Sequence, residues 1–328
     1  MQIYKFNTIL RPVLWGGSKL LTFKHLPASS EPIGESWELS PMPGRESVVA
    51  QGEETGMTLT QLVRHYGPQL VGNDVSRRYG DRFPLLIKFI DAHRDLSIQV
   101  HPDDKMAHRR HNCSAKDEMW YILNADQHAL IRTGFNRQLS EAEFVGLLDD
   151  SAILDVVNST TSRPGDVFYI PAGQIHNIGA GNFLVEIQQS SDITYRVWDY
   201  NRRDADGNLR QLHVQEACEA LDFSPREGRV LDRPHLGPGM TGLVECHDFI
   251  VRHLEFDGDY ILENPGCHTF VAIVCIQGEA TLQVDGMKTA SLSQGETVLV
   301  PAIADRVVMN GTARLLLASI PAEENIKP

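Results

Sequence analysis

Residues 96–102 read Leu-Ser-Ile-Gln-Val-His-Pro, a short run in which apolar and polar side chains alternate. Alternation with a period of two is typical of a β-strand, whose successive side chains point to opposite faces. Gln99 and His101 would therefore project from one face, while Ile98 and Val100 face the other way into apolar packing. The proline after His101 ends the strand. The segment thus predicts a β protein with two possible metal ligands side by side.

Two later segments each supply one more metal-binding side chain. Residues 116–123 read Lys-Asp-Glu-Met-Trp-Tyr-Ile-Leu, an apolar and aromatic run that predicts a strand containing Glu118. Residues 165–176 begin at a turn, continue as an apolar strand, bend at a Pro-Ala-Gly step and end at His176. Two imidazoles, one carboxylate and one amide oxygen suit a borderline divalent ion such as zinc and leave room for water or substrate. Spacing alone leaves open the alternative that these are separate core and surface residues.

Four motifs follow one another along the chain: Gln99-x-His101, Lys116-x-Glu118, Ile170-Pro171-Ala172-Gly173-x-x-His176 and Tyr195-Arg196. Their order and spacing, over most of the chain, resemble the type I mannose-6-phosphate isomerases in their short bacterial form. In that family the matching glutamine, histidine, glutamate and histidine hold one zinc ion inside a cupin barrel. The resemblance therefore implies one Zn²⁺ per chain, with these ligands: Gln99, His101, Glu118 and His176.

The resemblance implies an aldose-ketose isomerase that interconverts mannose 6-phosphate and fructose 6-phosphate through an enediol or enediolate. This reaction moves a proton between C1 and C2, so the site needs a base, a charge stabiliser and a grip on the phosphate. Arg196 stands at the family's active-site arginine and offers a planar fork of donors, while Lys116 offers a compact charge on the face of Glu118. Lys88 matches a family lysine, so we expect substrate contacts from Lys88 and Arg196. A surface position is the alternative for Lys88.

The proton-transfer base is expected among the acids that precede Arg196. Glu186 lies on an apolar strand, where burial would raise its pKa toward that of a general base, and we favour it over Asp192. A structural ion pair between Glu186 and Arg196 is the alternative. Trp15 and Trp37 resemble amino-terminal segments of the family and are expected to line the pocket mouth, where Trp15 would contact substrate. Aromatic core packing is the simpler alternative for both.

The composition limits the partners of the chain. Acidic residues number 43 against 30 basic residues, a formal charge of −13 over 328 residues. This excess disfavours non-specific attraction to nucleic acid and to anionic membranes, but permits a local basic pocket for a sugar phosphate.

The first residues lack the features of a signal peptide and no apolar run would span a bilayer, so we expect a cytoplasmic protein. Five cysteines without C-x-x-C spacing are typical of reduced thiols. We expect a monomer or a weak homo-oligomer.

Short apolar runs separated by Gly, Pro, Asn and Asp dominate the chain and predict a mainly β fold. Helical patterns fall at residues 59–66, 140–148 and 213–221, the second opening with a capping box of Ser140 and Glu143. The expected strands are 85–90, 97–100, 119–123, 167–170, 183–188, 270–276, 280–284 and 297–300.

An internal repeat predicts two domains. Residues 163–172 and 292–302 share one turn, strand and Pro-Ala pattern. With the resemblance, this predicts two cupin-type (jelly-roll) β-barrels with helical insertions. A catalytic metal-binding cupin domain with these insertions would cover residues 1–235, and a second cupin-like domain would cover residues 236–328.

The second domain is predicted to lack metal ligands. The repeat places Arg306 at the position of His176 and puts Val271 near the position of the glutamate ligand. Cys267 and His268 are the remaining donors there, and without a third or fourth donor at a matching position they are not expected to bind a metal.

Two other functions could use the same donors. Two histidines and one carboxylate hold iron in cupin dioxygenases, but Gln99 as a fourth donor and the cations Lys116 and Arg196 favour the isomerase. A non-catalytic sugar-phosphate-binding cupin is the second alternative, and the complete donor set argues against it.

Overall fold

The computed structural model describes residues 1–149, 151–203, 206–226, 238–263 and 269–322. Strands account for most of the regular structure in these ranges. In chain order they are β1 Tyr4–Lys5, β2 Ile9–Gly17, β3 Ile33–Leu39, β4 Leu85–Ala92, β5 Ile98–Val100, β6 Glu118–Ala125, β7 Leu130–Phe135, β8 Val157–Thr161, β9 Val167–Ile170, β10 His176–Ile178, β11 Asn182–Gln189, β12 Tyr195–Trp198, β13 Gly239–Glu245, β14 Ile250–Glu263, β15 Val271–Gln283, β16 Ala290–Ser293, β17 Thr297–Val300 and β18 Arg306–Ser319. The helices are α1 Lys19–Phe23, α2 Leu59–Tyr66, α3 Pro68–Val71, α4 Asn73–Tyr79, α5 Asp104–His111, α6 Glu141–Asp149 and α7 Val214–Ala220, with a 3₁₀ turn at Ile153–Val156.

Two antiparallel sheets form the N-terminal part of the described chain. One has six strands in the order β2-β3-β4-β11-β6-β9, and the other has five in the order β12-β5-β10-β7-β8. A shared apolar cluster joins them, to which Trp120 and Leu184 contribute from the six-stranded sheet and Ile131 and Ile178 from the five-stranded sheet. Because strand residues alternate between faces, polar residues on the same inner faces are enclosed with this cluster rather than directed to solvent.

The outer faces of both sheets are covered as well. Ile87 of β4 belongs to a cluster that includes Leu62 of α2 and Leu316 of β18, and Val100 of β5 belongs to one that includes Phe144 of α6. Strands β4 and β11 are consequently buried along their whole lengths. Any charged residue in these two strands must find its partner inside the protein.

The C-terminal part is one seven-stranded sheet that also includes β1 from the start of the chain. The long strands β14, β15 and β18 pair along most of their lengths, and one face packs into a separate apolar cluster. Tyr4 lies opposite Leu299, which joins β1 to β17. The predicted mainly β fold with cupin-family domains is confirmed, and in the described ranges the strands form sheets rather than closed barrels.

The predicted domain division stays a prediction, because residue 235 falls in the segment 227–237, outside the described residues. Cys267 and His268 also lie outside the described residues. Of the two repeat positions, Arg306 begins β18 and is exposed, whereas Val271 begins β15 and packs in the C-terminal apolar cluster.

The three predicted helices are present as α2, α6 and α7. At the start of α6 the Ser140 N–H donates to Glu143 Oε2 at 2.8 Å, and the Glu143 N–H donates to Ser140 Oγ at 3.3 Å, which confirms the capping box. Within the described ranges no helix is both long and apolar enough to cross a bilayer.

His253 on β14 is a buried polar side chain at the contact between the two parts. It is 1% exposed, and its ring stacks on Tyr121 of β6 with 6.1 Å between ring centres. Among the described residues, neither of its ring nitrogens has a hydrogen-bond partner. Burial lowers the pKa of His253, while the nearby charges of Glu255 and Arg314 act on this pKa in opposite directions. The imidazole therefore carries an uncompensated desolvation cost.

Replacing His253 by Phe is expected to stabilise the protein by about 1–3 kcal/mol at neutral pH, because the stacking remains and the desolvated nitrogens are gone. The unfolded histidine takes up a proton near pH ~6.5 but the folded one does not, so the parent loses stability as the pH falls through that value. The advantage of His253→Phe should therefore grow between about pH 7.5 and about pH 5.5. Urea unfolding at both pH values measures it. With exposed His93→Phe as the control, an advantage for His253→Phe that does not change with pH would contradict this explanation.

Candidate metal centre and active-site cavity

The five-stranded sheet places three site residues in one row. Gln99 on β5 lies directly opposite His176 on β10 and directly opposite Arg196 on β12. Directly opposed residues of an antiparallel pair project from the same face with their Cβ atoms close together. An amide, an imidazole and a guanidinium therefore leave neighbouring strands on the same side. His101 follows at the end of β5, where the strand stops before Pro102.

The six-stranded sheet contributes a second row. Glu186 on β11 lies opposite Lys88 on β4 and opposite Trp120 on β6, and Trp37 on β3 lies opposite Lys88. The Lys88 ammonium lies 2.9 Å from Glu186 Oε1, and the Trp120 indole N–H donates to Glu186 Oε2 at 3.0 Å. The predicted alternative, a Glu186–Arg196 ion pair, is not found among the described residues, because Glu186 pairs with Lys88 instead. Both charges are almost fully enclosed.

Three of the predicted ligands converge where the two sheets meet. The donor atoms of His101, Glu118 and His176 all lie within 4.8 Å of one another. His176 Nε2 is 3.2 Å from Glu118 Oε1, and His101 Nε2 is 3.5 Å from Glu118 Oε2. The Gln99 side-chain amide lies 3.2 Å from His176 Nε2, and rotating this amide by half a turn exchanges its nitrogen and oxygen positions. The four side chains that the sequence predicts as ligands therefore lie next to one another, and their role as ligands stays a prediction.

Both histidines present the nitrogen that a metal would need. His101 Nδ1 lies 2.9 Å from the Ile193 carbonyl, and His176 Nδ1 lies 2.8 Å from the Gln174 carbonyl. A carbonyl oxygen only accepts, so each Nδ1 carries the proton and each Nε2 directs a lone pair at Glu118. Burial, with the Lys116 charge, lowers the pKa of His101 to about 3, and burial also lowers the pKa of His176. Histidines that bind a metal are typically neutral and held in a fixed tautomer by such a contact at the other ring nitrogen.

Glu118 is the group that most requires a cation. Its side chain is 0% exposed, and neither carboxylate oxygen accepts a well-formed hydrogen bond from any described residue. Burial alone would raise the pKa of Glu118, but the Lys116 ammonium holds it well below its usual range. The Lys116 ammonium lies 3.0 Å from Glu118 Oε2 and 3.1 Å from His101 Nε2. The Glu118 carboxylate and the His101 lone pair already face one cation, the Lys116 ammonium. The same donor atoms fit a divalent metal.

The turn between β9 and β10 positions His176. The Gly173 N–H donates to the His101 carbonyl at 2.9 Å, and Gly173 has φ +82°, a conformation that favours glycine. Asp117, next to Glu118, accepts the Ala172 N–H at 2.8 Å on Oδ1 and the Tyr169 hydroxyl on Oδ2. One carboxylate thus connects the strand of the glutamate to the turn that carries the histidine.

Replacing Asp117 by Ala is expected to weaken divalent-metal affinity about 10- to 100-fold, the usual cost of losing a group that orients metal ligands. Titration of metal-free protein with Zn²⁺ against a competing chelator measures the affinity. Asp117→Asn keeps an oxygen acceptor for the Ala172 N–H, so it should stay closer to the parent. If Asp117→Ala binds Zn²⁺ as tightly as the parent, Asp117 has no part in holding the turn.

A cavity of about 280 Å³ opens beside these ligands. That is near the lower limit of small-molecule sites and suits a small polar ligand. The predicted residues along its wall are Trp15, Trp37, Lys88, Gln99, Lys116, Glu186, Asp192 and Arg196. Trp15 also packs in the apolar cluster between the sheets, so its core packing is confirmed and its contact with substrate stays a prediction.

Sequence reasoning missed part of the cavity wall. Arg11, Glu35 and Arg210 also line the cavity. The only available signal was the i, i+2 spacing of Glu35 and Trp37, which puts both on one strand face. A larger cavity of about 610 Å³ is lined in part by the Ser191–Ile193 stretch, but none of the candidate metal ligands lines it.

Comparison with known proteins gives consistent matches over both parts of the chain. The family model for the catalytic domain of phosphomannose isomerase type I matches residues 3–133, and the model for the cupin domain of mannose-6-phosphate isomerase matches residues 239–320. Mannose-6-phosphate isomerase ManA of Bacillus subtilis is 32% identical over 96% of this chain and 98% of that protein. The mannose-6-phosphate isomerase of Streptococcus mutans is 32% identical over 88% of this chain and 89% of that protein. The crystal structure of the Bacillus subtilis mannose 6-phosphate isomerase has a TM-score of 0.87 at 29% identity, covering 97% of this chain and 99% of that chain.

Proposed function

This chain belongs to the type I mannose-6-phosphate isomerase family of aldose-ketose isomerases, and we propose that it interconverts mannose 6-phosphate and fructose 6-phosphate by zinc-dependent proton transfer. The observation that carries the proposal is the buried Glu118 carboxylate, which faces two imidazole lone pairs beside a cavity rich in cations. Family membership favours this function over an iron dioxygenase or a non-catalytic sugar-phosphate-binding protein. The cytoplasmic location and the monomeric or weakly associated state stay predictions.

We assign zinc to the donor set that the sequence resemblance implied. The ligands would be His101, Glu118 and His176, with the Gln99 amide oxygen as the fourth. Zinc bound there would supply a Lewis acid that stabilises negative charge on a sugar oxygen. The neutral Gln99 ligand would preserve more of the positive charge of the ion than a second carboxylate would.

Glu186 is our candidate for the base. In the forward direction it takes the proton from C2 of open-chain mannose 6-phosphate, and the electron pair of that bond forms the C1–C2 double bond of the enediol or enediolate. The proton then returns to C1, while the hydroxyl proton of O2 moves to O1. Burial raises the pKa of Glu186 although Lys88 acts against it, and the two fixed donors hold the carboxylate toward the cavity.

Cations on the cavity wall would stabilise the charge that develops during this transfer. Lys88 and Lys116 both line the cavity, and each is held by a carboxylate partner. Fixed charges in an enclosed site need little reorganisation when charge appears on the substrate. Arg196, on the opposite sheet, is our candidate for contact with the charged groups of the substrate.

The proposal is tested by following mannose 6-phosphate isomerisation in D₂O with metal-free protein, before and after zinc is added. Turnover should appear with zinc, and fructose 6-phosphate should carry deuterium at C1, because the base exchanges its proton with solvent. No turnover with any divalent ion would contradict the function. Deuterium at C1 would support the enediolate route, because a direct hydride shift incorporates none. Turnover without deuterium would keep the isomerase, and it would also result if the enclosed Glu186 returned its proton to C1 before exchange. Oxygen consumption by iron-loaded protein would instead support the dioxygenase.

A further inference from the structure

The cavity beside the ligands is cationic although the whole chain is acidic. Arg11, Lys88, Lys116, Arg196 and Arg210 line it, against the acids Glu35, Glu186 and Asp192. The chain carries a formal charge of −13. A local excess of positive charge inside such a chain indicates an anionic ligand.

Most of these cations already have an acidic partner. Lys88 is 2.9 Å from Glu186, and Lys116 is 3.0 Å from Glu118. Arg210 lies 3.4 Å from Asp199. Within the ranges that the structure describes, the remaining two arginines of the cavity, Arg11 and Arg196, have no carboxylate within 4.0 Å.

Arg11 is held by an aromatic ring instead of an acid. It lies directly opposite Glu35 on the neighbouring strand, but Glu35 Oε2 accepts the Trp37 indole N–H at 2.6 Å. The Arg11 guanidinium carbon lies 5.4 Å from the centre of the Trp37 ring. Its Nε is buried and donates to no described acceptor. Arginine stacked on an aromatic ring keeps its in-plane donors available for a ligand.

Arg196 faces the same cavity from the other sheet. Its Nη1 donates to the Gln211 carbonyl at 2.9 Å, which fixes one edge of the guanidinium. Its Nε is buried without an acceptor among the described residues. Burial and the neighbouring Arg210 lower the pKa of Arg196, so an anion beside it would relieve both effects.

We propose that Arg11 and Arg196 together bind the phosphoryl group of the substrate, one arginine from each sheet, with Arg11 as a phosphate-binding residue. The inference rests on the proposed function for the identity of the substrate. A phosphate dianion accepts several charge-assisted hydrogen bonds, which matches two guanidinium groups that lack acidic partners. Lys88, already held by Glu186, then serves the sugar end and not the phosphate.

The test compares Arg11→Gln and Arg11→Lys with the parent. Calorimetric titration of inorganic phosphate into metal-free protein should show a dissociation constant about 10- to 100-fold higher for Arg11→Gln, because charge-assisted hydrogen bonds are lost. Arg11→Lys keeps the charge but not the fork, so it should fall between the two. With zinc, the KM of Arg11→Gln for mannose 6-phosphate should rise by a similar factor while kcat changes little. Arg64→Gln, at an exposed arginine outside this cavity, is the control.

The outcomes separate this inference from the proposed function. If the parent turns over mannose 6-phosphate but Arg11→Gln leaves both the phosphate affinity and KM unchanged, Arg11 does not bind phosphate and the isomerase stands. If the parent shows no turnover, the function fails, while the phosphate titration still decides the role of Arg11. A parent that binds no phosphate would also overturn the inference. Equal zinc affinity and circular dichroism spectra for Arg11→Gln and the parent establish that the variant is folded.

Discussion

Glu118→Gln should bind Zn²⁺ about 100- to 1000-fold more weakly than the parent and lose its turnover at limiting zinc. Zinc sites with four ligands have binding free energies of roughly 10–16 kcal/mol, so one ligand accounts for about 2.5–4 kcal/mol. The substitution preserves the shape of a side chain that is 0% exposed, but removes the only charge among the proposed ligands. Chelator competition measures the affinity, and the isomerase assay at fixed free zinc measures the turnover.

Glu53→Gln at an exposed glutamate is the matched control for Glu118→Gln and should behave like the parent. Circular dichroism has to establish that Glu118→Gln is folded, because the substitution also leaves the buried Lys116 ammonium without its carboxylate partner. If folded Glu118→Gln bound zinc as the parent does, Glu118 would not be a ligand. Excess zinc that restores turnover in the variant would support lost affinity as the cause.

Lys88→Met should destabilise the protein by about 3–5 kcal/mol, because it leaves Glu186 buried without its ionic partner. Glu186 would then take up a proton more readily in the folded than in the unfolded state, so stability should fall as pH rises and the loss should shrink in acid. Urea unfolding between about pH 5 and about pH 8 measures both effects.

The double variant Lys88→Met/Glu186→Gln separates stability from catalysis. It removes both charges and keeps an acceptor for the Trp120 indole, so most of the lost stability should return. Turnover should not return, because the proposed base is absent. If Lys88→Met alone were as stable as the parent at every pH, the enclosed pair would not behave as a buried ion pair.

The proposed ligands could be predicted from the sequence because strand periodicity and the order of the motifs depend only on positions along the chain. Gln99 and His101 were placed on one face by spacing alone, and the four-residue donor set followed from the resemblance. Spacing could not identify the partner of Glu186. That partner depends on the register between β4 and β11, strands about a hundred residues apart, and the register selects Lys88 rather than Arg196.

Other features depend on pairings that one sequence does not reveal. Arg11 lies opposite Glu35 because β2 pairs with β3, but Glu35 accepts the Trp37 indole N–H, and the Arg11 guanidinium lies over the Trp37 ring instead. In the C-terminal part, the predicted strands 270–276 and 280–284 form one strand, β15. The sequence indicates a break at Gly278, but the strand stays paired there. A bulge between Cys275 and Gln277 and the φ of +76° at Gly278 allow this continuous pairing.

The pairing of β1 with β17 bears on how this chain acquires its fold during synthesis. Tyr4 and Leu299 are far apart in the sequence, yet they are neighbours in the same sheet, and the Lys5 ammonium lies 2.8 Å from Glu296. Strand β1 emerges from the ribosome long before β17 exists, so this edge of the sheet can close only after residues 297–300 have been made. A chain interrupted before residue 297 would therefore leave β1 without its partner strand.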